Sequence, residues 1–269
     1  MRRIMLIVAY DGTKYCGWQI QPNAVTVEEV LNRELSRLLK EEITVIGASR
    51  TDSGVHAMGN VAVFDTSTRI PAEKLCYALN HSLPEDIVIQ KSFEVAPDFH
   101  PRKWDSKKTY EYNIWNADFV QPFNRGYTHF VYHTLDVEAM QKAARYFLGE
   151  HDFTSFCSTK AQVPDHVRTI YSLEIEKKGN LITLRVTGNG FLYNMVRIIA
   201  GTLLLVGEHQ RKPEEIAEMI AAKNREAAGP TAPAKGLMLV KIDYFPAPER
   251  VEREFINECI NEKQEEIRG

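Results

Sequence analysis

The sequence predicts an α+β fold. Strand-like and helix-like segments of ordinary length alternate along the chain, and the strand-like runs suit antiparallel packing with helices laid against them. Two successive halves show a similar order of elements. Residues 3–10 read as a strand. Thr26-Val27-Glu28-Glu29 is a capping-box start, and Val27, Val30, Leu31, Leu35 and Leu38 follow at helical spacing. Strands near 43–48 and 59–66 flank a polar loop. Pro71 opens a helix through about Leu83, and a strand follows at 87–95. Alternation puts Tyr110, Tyr112 and Ile114 on one face of the next strand. The second half continues with a helix after Asp136, strands near 169–177 and 181–187, and a helix from about 191 to 206. A helix starting near Pro213 and a strand at 237–243 complete it. Beyond Glu249, Val251, Phe255 and Cys259 recur every four residues, the pattern of a solvated terminal helix.

Composition narrows the class. With 269 residues, 44% apolar and 26% charged, the chain can bury one large core or two of ordinary size. Met1-Arg2-Arg3 leads straight into a strand-like run, so no secretory signal is expected. The longest apolar run, Ile198 to Val206, is far too short to cross a bilayer. Cys16, Cys76, Cys157 and Cys259 are scattered, which reads as reduced thiols in a cytoplasm. No His, Cys or carboxylate cluster has metal-ligand spacing, so no metal is expected. The formal charge of −3 resides in the stretch from Glu249 onward, where seven Glu face four cations. The remainder is neutral, and it must segregate its charge if it binds nucleic acid.

The most informative stretch is Gly47-Ala48-Ser49-Arg50-Thr51-Asp52-Ser53-Gly54-Val55-His56-Ala57. Strand–loop–strand geometry can hold Asp52 rigidly at the rim of a sheet, with Gly54 supplying a turn conformation that other residues avoid. The same residues also fit an ordinary turn in which Asp52 accepts from nearby backbone amides. In extended backbone Arg50 and Asp52 point to one face, so Arg50 either pairs with Asp52 or reaches a ligand. The helix at 191–206 is apolar nearly all round and should be buried, so Arg197 within it needs a carboxylate partner. Spacing does not name that partner. The other reading of Arg197 is a snorkelling side chain at the helix edge.

The run Arg50-Thr51-Asp52-Ser53-Gly54-Val55-His56-Ala57 resembles the active-site signature of the TruA-type tRNA pseudouridine synthases. The likeness extends to Tyr10-Asp11-Gly12-Thr13, Gly17-Trp18-Gln19, Ala78-Leu79-Asn80, Leu83-Pro84-Glu85-Asp86-Ile87 and Lys108-Thr109-Tyr110. Gly149-Glu150-His151-Asp152-Phe153, Gly190-Phe191-Leu192-Tyr193-Asn194-Met195-Val196-Arg197 and Ala232-Pro233-Ala234-Lys235-Gly236-Leu237 are similar as well. Order and spacing agree from about residue 4 to about residue 245.

This resemblance implies two pseudo-symmetric ferredoxin-like lobes whose antiparallel sheets join around a central catalytic cleft. The lobes would span 1–105 and 106–246, with a charged tail over 247–269. It implies isomerisation of uridine to pseudouridine at positions 38, 39 and 40 of the tRNA anticodon arm, without a cofactor. It also implies a homodimer that handles each tRNA across both subunits. Asp52 would be the catalytic carboxylate, and pairing with Arg197 would lower its pKa and keep it ionised. Tyr110 would stack on the target uracil and assist removal of the C5 proton. Leu237 would be an apolar wall of the uracil pocket. Arg50 would hold the nucleotide out of its stack. The segment from Arg102-Lys103-Trp104 to Lys107-Lys108 is a second candidate for RNA contact, or else a solvated connector.

The chain departs from the commonest pattern at Ser49, Asn60 and Pro101, where glycine, glutamine and alanine are usual. These departures are expected to leave Asp52, Tyr110 and Arg197 untouched. Two other classes share features with the sequence, an aspartic protease and a catalytically silent RNA binder. Asp52-Ser53-Gly54 matches the short protease element, but no second Asp-(Ser/Thr)-Gly supplies the partner carboxylate. Intact Asp52, Tyr110 and Arg197 argue against a silent binder.

Overall fold

The computed structural model describes residues 1–159 and 165–248. The terminal helix expected beyond Glu249 lies outside these residues, as does Cys259.

The first half runs β1 (Arg2–Tyr10), α1 (Val27–Leu39), β2 (Ile46–Gly47), β3 (His56–Thr66), α2 (Leu75–Asn80) and β4 (Ile87–Val95). The N-cap half of the expected capping box forms: Thr26 is the N-cap of α1, and its hydroxyl accepts from the Glu29 amide at 3.4 Å. The second half runs β5 (Ser106–Asn116), β6 (His129–Val131), α3 (Val137–Ala144), β7 (Gly149–Asp152), β8 (Val167–Lys178) and β9 (Leu181–Gly188). It ends with α4 (Met195–Gly207), α5 (Glu215–Ala221) and β10 (Leu237–Tyr244). Asp136 caps α3 by accepting from the Ala139 amide at 2.9 Å.

All ten strands join one sheet in the order β4-β1-β3-β10-β5-β9-β8-β7, with β2 on β3 and β6 on β5. The last strand, β10, closes the seam between the halves. It pairs antiparallel with β5 from Leu237↔Tyr112 to Tyr244↔Ser106, and that direction makes it parallel to β3, at Met238↔His56 and Leu239↔Ala57. The sheet is therefore mixed, not purely antiparallel as the strand pattern suggested. α1 and α2 pack together with α2 along β4, while α3 packs on α4 and β8, and α4 on β5.

Three elements differ from expectation for local reasons. The helix after Pro71 shrinks to a 3-10 turn and the six residues of α2, because the Asn80 side chain turns to bond the Ile89 backbone twice, at 2.7 and 2.9 Å. The strand expected near 43–48 keeps only Ile46–Gly47. Its upstream backbone bonds side chains of α1 instead, with the Ile43 amide on Ser36 Oγ and the Val45 amide on Asn32 Oδ1. The helix expected from 191 starts at Met195, because Asn194 adopts a left-handed conformation with φ of 61°.

The loop carrying Asp52 rests on the segment after β1. The Trp18 amide donates to Thr51 O at 3.1 Å, and the Gly54 amide donates to Tyr15 O at 3.2 Å. Gly17 makes this approach possible: its φ is +85°, and a Cβ there would meet Thr51 O at 2.5 Å. Gly17→Ala should therefore lower the free energy of unfolding in urea by about 1–3 kcal/mol. A wild-type midpoint would show that the two loops can separate without cost.

Candidate active site

Asp52 sits between β2 and β3, at the turn closed by the Val55 amide donating to Asp52 O at 3.1 Å. Gly54 takes the positive φ expected of it, +75°. The Asp52 carboxylate does not bond the neighbouring amides. Its one partner among the described residues is Arg197, whose Nη1 donates to Oδ2 at 3.4 Å. The two side chains are 19% and 17% exposed, so water screens the pair only in part.

Arg197 is itself held in place. Its Nε donates to Ala232 O at 2.7 Å, and Nη1 donates to Asn194 Oδ1 at 2.8 Å. It lies in the first turn of α4 rather than deep within the helix, because Asn194 delays the helix start. The left-handed turn at Asn194 thus both begins α4 and carries the amide that orients the guanidinium. Sequence reasoning missed Asn194, although asparagine ahead of an apolar run is a readable signal for that conformation.

The electrostatic balance differs from expectation. Burial raises the Asp52 pKa above the ordinary aspartate value, and the charge and hydrogen bond of Arg197 oppose that rise without reversing it. The pairing was expected to lower the pKa; desolvation outweighs it. Ionised Asp52 therefore costs folding free energy at neutral pH, and that cost is relieved as pH falls through its folded-state pKa. The same burial makes the carboxylate a stronger base and nucleophile than a solvated aspartate.

Tyr110, on β5, is buried, with its hydroxyl 2.7 Å from Ser49 Oγ and its ring edge-on to Phe191 at 5.2 Å. Ser49 was expected to lie clear of the catalytic set, yet it bonds Tyr110 directly. The Ser49 side chain lies within the loop that carries Asp52, so its hydroxyl reaches the strand opposite. Burial pushes the Tyr110 phenol up to about 12, with the Asp52 charge adding to the rise, so it stays protonated at neutral pH. Asn60, another departure, supports the same loop: Nδ2 donates to Ser49 O at 3.0 Å and to Tyr10 Oη at 3.3 Å. Tyr10 Oη in turn lies 2.7 Å from Thr51 Oγ1. These buried polar groups satisfy one another and tie the loop to β1, β3 and β5.

Leu237 opens β10, buried and opposite Tyr112. Arg50 is exposed and has no ion pair or hydrogen bond among the described residues, so its open alternatives resolve away from Asp52. In the 102–108 segment, Trp104 packs on Phe99 and donates from Nε1 to Pro246 O at 2.8 Å, which makes it structural. His56 bridges two loops, with Nδ1 accepting from the Gly12 amide and Nε2 facing Gly126 O, both at 3.1 Å. An open pocket of about 610 Å³ adjoins the loop at Gly54, Ala234 and Lys235, but neither Asp52, Tyr110 nor Arg197 lines it.

Comparison with known proteins places the chain in one class of enzyme, the isomerases that convert uridine to pseudouridine. A family model described as tRNA pseudouridine synthase matches residues 6–102 and 143–245. A protein of Ruminiclostridium cellulolyticum named tRNA pseudouridine synthase A is 52% identical over 245 residues, covering 91% of this chain and 100% of the relative. One of Thermoanaerobacter sp. with the same name is 48% identical over 244 residues, with the same coverage. Among solved structures, the chain is similar to a chain in the archaeal box H/ACA sRNP Nop10-Cbf5 complex, with a TM-score of 0.36 and 12% identity, over 84% of this chain and 60% of that one. This chain belongs to the tRNA pseudouridine synthase family.

Two outcomes follow from the site. The acid limb of kcat/KM should lie above the ordinary aspartate range, and Arg197→Met should move it to higher pH, because only the opposing charge is removed. A limb unmoved by that variant would dissociate Arg197 from the ionisation of Asp52. Ser49→Ala should strand the buried Tyr110 hydroxyl and cost about 1–3 kcal/mol of stability, read by urea unfolding. Unchanged stability would mean that water replaces the serine.

Proposed function

We propose that this protein isomerises uridines 38, 39 and 40 in the anticodon stem-loop of tRNA, with Asp52 as the acting carboxylate. The observation that carries the reading is the Asp52–Arg197 pair, which brings one half-buried carboxylate and its one partner among the described residues from opposite halves of the chain. The named relatives supply the substrate class. The reaction breaks the N1–C1′ bond of uridine, turns the uracil, and forms C5–C1′ in its place. N1 gains a proton and C5 loses one, so the change is a balanced isomerisation with no net oxidation. A carboxylate is sufficient: Asp52 adds to C6, attacks C1′ or removes the C2′ proton.

Other side chains take parts suited to their chemistry. Tyr110 is a protonated wall for the uracil rather than a phenolate base, given a pKa pushed up to about 12. Leu237 adds an apolar wall from β10. Arg50, exposed and uncommitted, contacts the extruded nucleotide. Recognition of adjacent uridines in different sequences then rests on shape and phosphate contacts.

The architecture is read here as two ferredoxin-like lobes, over 1–105 and 106–246, with a tail over 247–269. What supports it is the strand order. The first half gives β4-β1-β3-β2 and the second β10-β5-β9-β8, each with a helix after its first and third strands in sequence. The enzyme is read as a cytoplasmic homodimer. The free thiols of Cys16, Cys76 and Cys157 suit a reducing compartment. Phe119 and Phe123, 82% and 91% exposed, offer apolar surface for a second subunit.

The test is tritium release from tRNA transcripts carrying 5-tritiated uridine, without added cofactor or metal. Wild-type protein should release tritium, and Asp52→Ala should abolish release while tRNA affinity changes by no more than about threefold, since a carboxylate adds nothing to phosphate binding. Retained turnover in that variant would sink the assignment of Asp52. Modified sites mapped outside 38–40 would refute the positional reading alone. Sedimentation equilibrium should return the dimer mass.

A further inference from the structure

His56 follows the Asp52 turn, and its imidazole has no part in the steps described above, yet its side chain is only 4% exposed. Its backbone opens β3 and pairs with Met238 of β10, so the ring projects from a fixed root. On one side Nδ1 lies 3.1 Å from both the Gly12 amide and Asp11 Oδ1. On the other, Nε2 lies 3.1 Å from Gly126 O. The amide can only donate and the carbonyl can only accept, so together they select the neutral ring with its proton on Nε2. A charged ring would donate from Nδ1 to Asp11 instead. In both states Nε2 donates to Gly126 O.

Gly126 belongs to the connection from β5 to β6, residues 117–128, in the other half of the chain. Tyr127 makes a second tie from it. Its Oη donates to Asp11 Oδ2 at 2.8 Å, and its ring packs on that of His56 with centroids 5.0 Å apart. Little else holds the connection within the chain. Its other hydrogen bonds among the described residues are local, such as Trp115 Nε1 to Phe119 O and Thr128 Oγ1 to Asn124 O. Phe119, Val120 and Phe123 are exposed, so core packing does not anchor it.

This connection borders the site. Val120 and Gly126 form one side of the open recess of about 610 Å³, facing Thr13, Gly54 and Ala234. Gly54 is two residues from Asp52 and so no more than about 7 Å along the backbone from it. A uridine presented to Asp52 therefore brings its neighbouring nucleotides toward this recess.

We propose that His56 is a positioning residue for the isomerisation: with Tyr127 it clamps the 117–128 connection as a fixed wall of the recess beside Asp52. The inference rests on the tRNA reading above, which supplies the occupant of the recess. A wall already ordered in the free protein loses no further freedom when RNA binds, whereas a released one must be ordered at that moment. The ordering precedes chemistry, so losing the clamp should show in KM and not in kcat.

The experiment compares wild type, Tyr127→Phe, His56→Phe and His56→Gln as full chains. It reads kcat and KM from tritium release, together with tRNA affinity, thermal melting and hydrogen exchange over 117–128. Tyr127→Phe keeps the ring and removes one hydroxyl of a half-exposed residue, so it should melt as wild type does. It should raise KM about two- to tenfold at unchanged kcat, the range that one hydrogen bond supplies. Its 117–128 amides should exchange faster. His56→Phe should raise KM further. His56→Gln, whose side-chain amide still donates toward Gly126 O, should recover part of that loss.

Wild-type KM and exchange in both Tyr127→Phe and His56→Phe would overturn the proposal. So would lower melting of His56→Phe with KM unchanged, the mark of a histidine that only stabilises the fold. A fall in kcat at constant KM would overturn it as well, by placing His56 in the chemistry. The two readings fail separately. Weaker tRNA binding and faster exchange in the variants, with no tritium release by wild type, would retain the clamp and remove the isomerase reading. Wild-type release with unchanged KM in the variants would do the reverse.

Discussion

The structure is organised around one ion pair between a carboxylate and a guanidinium that water screens only in part. Asp52 comes from the first half of the chain and Arg197 from the second, 145 residues later, and they meet at 3.4 Å. Burial raises the basicity of Asp52, while Arg197 limits the rise and keeps the anion accessible. Either influence alone would serve poorly. A fully solvated aspartate is a weak nucleophile, and a buried one without a counter-charge would hold its proton. The guanidinium can limit the rise only if it cannot swing away, and the bonds to Ala232 O and Asn194 Oδ1 secure that.

Such a pair across a seam requires the halves to be locked in register, which accounts for the position of β10. β10, the last strand of the described residues, lies between β3 and β5, so the strand leading out of the Asp52 loop and the strand bearing Tyr110 share a neighbour. The buried bonds among Tyr10, Thr51, Asn60, Ser49 and Tyr110 add side-chain ties to that backbone connection. Each removes a freedom that the loop would otherwise have: β1 fixes Thr51, β3 fixes the Ser49 carbonyl, and β5 fixes the Ser49 hydroxyl.

Local signals were legible wherever local physics decided the outcome. The start of α1 follows from Thr26 and Glu29, that of α3 from Asp136, and the left-handed turn from Gly54. The strand expected at 87–95 is β4. Outcomes set by distant partners were not legible. Nothing near Asn80 announces that its side chain will bond β4 and end α2, and nothing near Leu237 announces parallel pairing with β3. The strands β6 and β7, three and four residues long, are too short to show a period. In the site, Asp52, Arg197 and Tyr110 lie in segments that carried the family resemblance; Asp52 and Arg197 meet, while Tyr110 bonds Ser49 of the Asp52 loop. The contact of Ser49 with Tyr110 crosses 61 residues.

The charge distribution resolves the difficulty posed by a net charge of −3. Several cations far from the site are neutralised within the fold: Arg3 by Asp65 at 2.7 Å, Lys223 by Asp152 at 3.0 Å, and Arg185 by Glu111. Around the Asp52 loop the pattern reverses. Arg50 and Lys235 have no acidic partner among the described residues, and Lys108 donates to the Ala48 carbonyl. Lys235 and Arg125 line the pocket next to Gly54. A chain neutral over 1–248 thus keeps cations without an acidic partner beside the Asp52 loop. Formal charge is a poor guide to nucleic-acid binding in such a case, because the field at the site depends on which cations the fold leaves unpaired.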